Sequence, residues 1–252
     1  MKLILPPNIV WTYENTNSFL TKIISSLSKE LDITGITEIH FLDDMNPNIA
    51  GEMVVNSLVP SDYTIKLRSS ILYKEILNNK QEVNNFINTL KHELCHVHDH
   101  NKLQHIYKTL IENDDTIDYE RVSLLFAKKT WSEFIATYLS SDTSSTMIIE
   151  DKINALNDMC KNLYTIKKDK NTELLGQVFC CMAYVIGDIL NKENLAEKLR
   201  IKIDARSFTP ILQMLYDELK SLLKSYPNWN DVTYFIGIKD IFQTFVMQCK
   251  SE

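Results

Sequence analysis

Residues 92–96 read HELCH, two histidines four positions apart with a glutamate directly after the first. On a helix such histidines project from one face, about 40° apart, so both imidazoles can reach one metal ion. The glutamate then lies beside the metal's open coordination position, where it can take a proton from a bound water. Neutral imidazole nitrogen suits Zn2+, which brings the pKa of its bound water to about 7 and makes hydroxide available at neutral pH. The chemistry encoded by this spacing is hydrolysis by a metal-activated water. The pentapeptide alone arises by chance in roughly one chain in a hundred of this length and composition, so its surroundings must decide.

With His92 set at 0° and about 100° added per residue, His96 falls at about 40°. Val83, Phe86, Leu90, Leu94 and Val97 fall between about 120° and 200° on the same wheel. Both histidines are therefore expected opposite the buried stripe, facing a polar cleft with Asn85, Asn88, Thr89 and Asp99 near them. Packed core histidines do not fit this segregation. Solvated surface histidines do, and only a third ligand separates that reading from a metal site.

Position 99 is Asp and position 102 is Lys, so the glycine and histidine that complete a metzincin site are absent. A gluzincin takes a glutamate from a following helix, and Glu133 in TWSEFIATYLSS is the candidate. Its neighbours Trp131, Phe134, Ile135, Tyr138 and Leu139 make that helix apolar almost all round. A carboxylate on such a helix is costly unless something compensates it, and a metal ion does. The competing reading is an ion pair with Lys129, one turn earlier. Glu112 and Glu120 are weaker candidates for the third ligand. Asp99 is read either as an acceptor that orients an imidazole or as a solvated acid, and His100 as a cleft or surface residue. Cys95 is read as a small buried residue, and His98 and His105 receive no role. A donor for the developing oxyanion is also needed; Tyr119, Arg121, Tyr138, Tyr216 and Tyr234 are equally eligible.

The elements that must hold these residues follow from pattern. Residues 18–31 have helical apolar spacing, and three short strands are expected at 37–42, 52–55 and 63–67, separated by Asn and Pro clusters. A long helix is expected over 79–101, with Asn79 as N-cap and Glu82 three positions on. A polar connection through Asn113, Asp114 and Asp115 leads to a second long helix, about 118–140, closed by the SSDTSST stretch at 140–146. Four helices are expected beyond it, at 147–167, 172–191, 207–225 and 233–249.

The chain has 252 residues, 44% hydrophobic and 24% charged, with five glycines and six prolines. That excludes collagen-like and low-complexity chains and argues for long helices. The net charge of −6, without a basic face, is not that of an electrostatic nucleic-acid binder. The apolar run at 174–190 is interrupted by Gln177 and Asp188 and reads as a buried core helix rather than a membrane span. The N-terminus lacks the apolar length of a signal peptide, and the five cysteines show neither regular spacing nor a CxxC pair. A reduced, cytoplasmic chain is expected, with export that reads no N-terminal signal left open.

HELCH with a downstream glutamate resembles the zincin fold and its gluzincin branch of zinc metallopeptidases. Within that branch HELCHVHDH is similar to the HExxHxxxH signature of the ImmA/IrrE-type proteases, with His100 at the added histidine and Cys95 where that group carries glycine. The resemblance covers about residues 63–140. The pattern of elements gives an α+β fold, a mixed part at 1–142 packed on an α-helical subdomain at 143–252, and the resemblance implies that the first part is a zincin-like domain. The resemblance also implies Zn2+ held by His92, His96 and Glu133, with Glu93 as catalytic base. Zincins also dock an extended peptide on a sheet edge beside the site, and residues 63–67 (YTIKL) are the candidate strand. The expectation is a zinc peptidase acting on a narrow protein or peptide substrate, with no nucleic-acid or membrane partner. The alternative is an inactive zincin-like module that binds a partner through its helical half.

Overall fold

Alternating apolar residues build a four-stranded mixed sheet in the computed structural model of this chain. The structure describes residues 1–251 except 8–12, 47–49, 73–77, 113–117, 142–145, 166–171, 193–202 and 204–207. The strands are β1 (Lys2–Ile4), β2 (Ile36–Leu42), β3 (Gly51–Leu58) and β4 (Ser61–Arg68). Their order is β1-β2-β4-β3, with β1 parallel to β2, β2 parallel to β4, and β3 antiparallel to β4. The register sets Ile39 beside Ile65 and Phe41 beside Leu67. These four side chains, with Tyr63, are almost wholly buried and form the inner face of the sheet.

Eight α-helices are described among these residues: α1 (Tyr13–Leu27), α2 (Lys80–Lys102), α3 (Gln104–Glu112), α4 (Tyr119–Ser140), α5 (Thr146–Thr165), α6 (Thr172–Asn191), α7 (Thr209–Leu223) and α8 (Ile236–Ser251). The chain is α+β. The three expected strands, both long helices of the first part and the four later helices are all present. The three-residue β1 and the short helix α3 are additions. The SSDTSST boundary and the 113–115 connection lie largely or wholly outside the described residues.

Contacts divide the chain into two compact units, Met1–Gln104 and His105–Glu252. The boundary expected near 142 rests on the SSDTSST stretch at 140–146 and is a proposal about the functional unit.

In the first unit α2 is anchored at both ends. Asn79 caps it as expected, its side-chain oxygen accepting from the backbone N–H groups of Gln81 (3.0 Å) and Glu82 (3.4 Å). Phe86 stacks on Phe19 of α1 and Phe41 of β2, with ring centroids 6.0 and 6.1 Å away. At the far end Asn101 donates to the carbonyls of Asp32 (3.1 Å) and Thr34 (3.0 Å) and accepts from the Tyr63 hydroxyl (3.0 Å). The segment between these anchors carries HELCH.

In the second unit α4 is a core helix. Trp131 is fully buried against Trp229 (4.3 Å), Phe134 and Tyr226 (both 5.4 Å). A Cβ on Gly187 of α6 would stand 2.9 Å from the Phe134 carbonyl oxygen, so glycine there permits the close approach of α6 to α4. Leu174–Asn191 within α6 is the one stretch among the described residues long and apolar enough to cross a membrane, and most of it is buried inside the protein. The wholly buried Asp188 fits this setting because it is compensated. It accepts from the Ser141 hydroxyl and, at 2.8 Å, from the Lys152 ammonium.

Candidate metal centre

The helical spacing of HELCH brings the Nε2 atoms of His92 and His96 to 3.1 Å, with the rings perpendicular and their centroids 4.7 Å apart. Two Zn–N bonds of about 2.05 Å at a tetrahedral angle hold their nitrogens about 3.3 Å apart. The pair is thus already spaced for a single small ion. His96 is buried and His92 half-buried, while Glu93 between them in sequence is buried as well.

The surroundings of the pair differ from the wheel's expectation. Lys91, Asp99 and His100 are buried alongside Glu93 and His96, so between Leu90 and His100 the helix is covered on nearly every side. Asp99 is wholly buried, which removes its reading as a solvated acid. His100 is not a surface residue either; its ring meets Tyr63 edge-on at 6.1 Å. The wheel assigns every polar residue to solvent because it knows only one buried face. Cys95 is fully buried, as expected. His98, which received no role, accepts a hydrogen bond at Nδ1 from the Asp32 amide (2.7 Å). Burial, with the Lys102 charge beside it, holds the His98 pKa below the ordinary imidazole value.

Glu133 sits on α4, half-buried in a run of buried residues from Thr130 to Thr137. Glu133 belongs to the second unit, and His92 and His96 to the first. On α6, burial pushes the Cys180 thiol up to about 12; the Glu133 carboxylate pushes it the same way and Lys129 opposes them. Cys180 is therefore a protonated, unreactive neighbour. Glu120 is engaged elsewhere: it accepts from Lys239 (2.6 Å) and Gln243 (2.8 Å), which hold its carboxyl below the usual range. The Glu112 side chain lies outside the described residues.

Each eligible oxyanion donor has a local structural setting. Tyr119 is exposed, and Arg121 donates to the Leu110 carbonyl (3.0 Å). Tyr138 stacks on Phe134, Tyr216 lies under the Lys220 ammonium, and Tyr234 lies flat on Trp229.

No protein-family model, no curated protein and no solved structure matches this chain.

Two features near the motif escaped the sequence reading. The strand expected to receive a peptide, 63–67, lies within β4, which is paired on both sides, by β2 and β3. Among the described residues, the edge strand of the sheet beside it is β3. Local pattern cannot show strand order, so an edge and an interior strand look alike in sequence. The second feature is Gly51, the first residue of β3, which lies against Thr89 and Glu93 of α2. A lone glycine opening a strand in a glycine-poor chain was the available signal, since glycine in a strand often marks close approach.

Proposed function

We propose that this chain is a zinc-dependent peptidase of the gluzincin type, located in the cytoplasm and acting on a protein or peptide. The observation that carries the reading is the pair of imidazole nitrogens 3.1 Å apart on one anchored helix, with a buried carboxylic residue between them in sequence. His92 and His96 would hold the ion through Nε2, and Glu133 would supply the third ligand through a carboxylate oxygen. The chemistry of this donor set, two neutral imidazoles and one carboxylate, suits Zn2+ with one position left open. When bound, the ion would polarise the scissile carbonyl and acidify a water.

Glu93 then acts as general base: its carboxylate takes a proton from the attacking water and passes it to the nitrogen of the leaving amine. Burial of Glu93 keeps bulk water from competing for that proton. The edge of β3 that is unpaired among the described residues would receive an extended peptide by main-chain hydrogen bonding, replacing 63–67 in that role.

A peptide library prepared from a digested proteome supplies the test, with new termini read by mass spectrometry. Wild-type protein is expected to cleave, and 1,10-phenanthroline to stop it. Glu93→Gln should retain zinc and lose about 100- to 10,000-fold in rate, the usual contribution of a general base. Undiminished cleavage by Glu93→Gln contradicts the mechanism.

A further inference from the structure

We propose that Gly51 is a positioning residue for Glu93: its bare Cα provides the space in which the Glu93 side chain is held. The proposal rests on Glu93 being the general base. A Cβ at position 51 would stand 3.0 Å from both Cγ and Oε1 of Glu93 and 2.9 Å from the Thr89 Cγ2 methyl. Thr89 and Glu93 are one helical turn apart, so together they form a notch on α2 that closes on position 51. The Thr89 hydroxyl donates back to the Asn85 carbonyl (3.1 Å), and the methyl is the part of Thr89 nearest the strand.

Conformation does not demand glycine here. Of the chain's described glycines only Gly35 has a positive φ, so the backbone at 51 is one that alanine adopts without strain. Glycine inside a strand is unfavourable relative to alanine when nothing else intervenes. Space is the remaining reason, and the atoms that fill it belong largely to the proposed base. A side chain at 51 would be accommodated most easily by the flexible end of Glu93, because the backbones on either side belong to paired strand and helix. The consequence is specific: the fold survives, and the carboxylate is displaced.

The test is a double-variant cycle on metal-free protein, with cobalt-loaded protein as a second readout. Thr89→Ser is used as the common background so that its methyl does not contribute. Gly51→Ala is expected to lower the melting temperature by a few degrees with Glu93 in place and to leave it unchanged or raised when Glu93→Ala is also present. In Co2+-loaded protein the visible spectrum of Gly51→Ala should shift toward that of Glu93→Ala, while Glu52→Ala on the same strand leaves it unmoved. An equal temperature change in both Glu93 backgrounds overturns the proposal, because Gly51 would then be spacing something else. If the temperature coupling is present and wild-type protein gives no cobalt spectrum, the placement of Glu93 by Gly51 stands and the metal reading falls.

Discussion

Between Leu90 and His100, α2 buries Lys91, Glu93, His96, Asp99 and His100; between Ala127 and Ser140, α4 buries Trp131, Phe134, Ile135 and Ala136 with small hydroxyl residues. The two helices carry the candidate ligands, and they are covered by side chains of opposite kind. Burying ionisable groups is costly unless each is compensated, whereas burying aromatic and aliphatic groups is the main favourable term in folding. A helix that places five ionisable side chains out of water is not arranged for stability alone. α4 is arranged for stability, and Glu133 is its exception. On the proposed reading, the difference teaches that α2 carries the chemistry and α4 serves as a rigid mount for one group.

The largest expected effect tests the mount. Trp131→Ala removes the central ring of the α4 cluster and should cost about 3–5 kcal/mol, measured by urea denaturation of the metal-free protein. A loss well under that would mean α4 is not the packed element described, and the contrast with α2 would weaken. A smaller effect tests the anchoring of α2. Asn79→Ala removes the acceptor for the Gln81 and Glu82 amides and should cost about 1 kcal/mol. Asn79→Ser, which keeps a capping oxygen, should recover most of it in the same assay.

These elements were unequally legible. The cap at Asn79, the run of α2 and the HELCH pair follow from local spacing, and local spacing is what a sequence displays directly. The apolar surround of Glu133 was legible because Val122, Phe126 and Ala136 share its face of the helical wheel while Trp131, Phe134 and Ile135 lie on the opposite side. The burial of Asp99 and His100 was not, since it depends on what covers the polar face of α2. The identity of β3 as the edge strand was hidden for a related reason. Strand order is a tertiary property, and residues 52–55 and 63–67 have similar local patterns. Gly51 lay in plain view, but its neighbour Glu93 is distant in sequence.

The smallest expected effect sharpens the account of α2 through pH. His98 must be unprotonated at Nδ1 to accept from the Asp32 amide, and burial lowers its pKa in the folded state. The unfolded chain therefore binds the proton more readily. The stability His98 contributes is full above about pH 6.5 and is lost as pH falls below that toward the folded-state value. The urea midpoint should decline on acidification from pH 7.5 to 5, and His98→Gln should flatten that part of the profile. An unchanged slope in His98→Gln would assign the dependence to other groups.

Elemental analysis of untagged protein, purified without added metal, tests the central claim most directly when His92→Ala and Glu133→Ala are measured beside wild type. A four-coordinate zinc site binds with about 10–16 kcal/mol, so removing one ligand should weaken it on the order of a hundredfold or more. The account predicts about one zinc per wild-type chain, with both variants depleted after equal dialysis. Protein that holds no metal even after zinc is restored, or a Glu133→Ala variant that keeps its zinc in full, would contradict it.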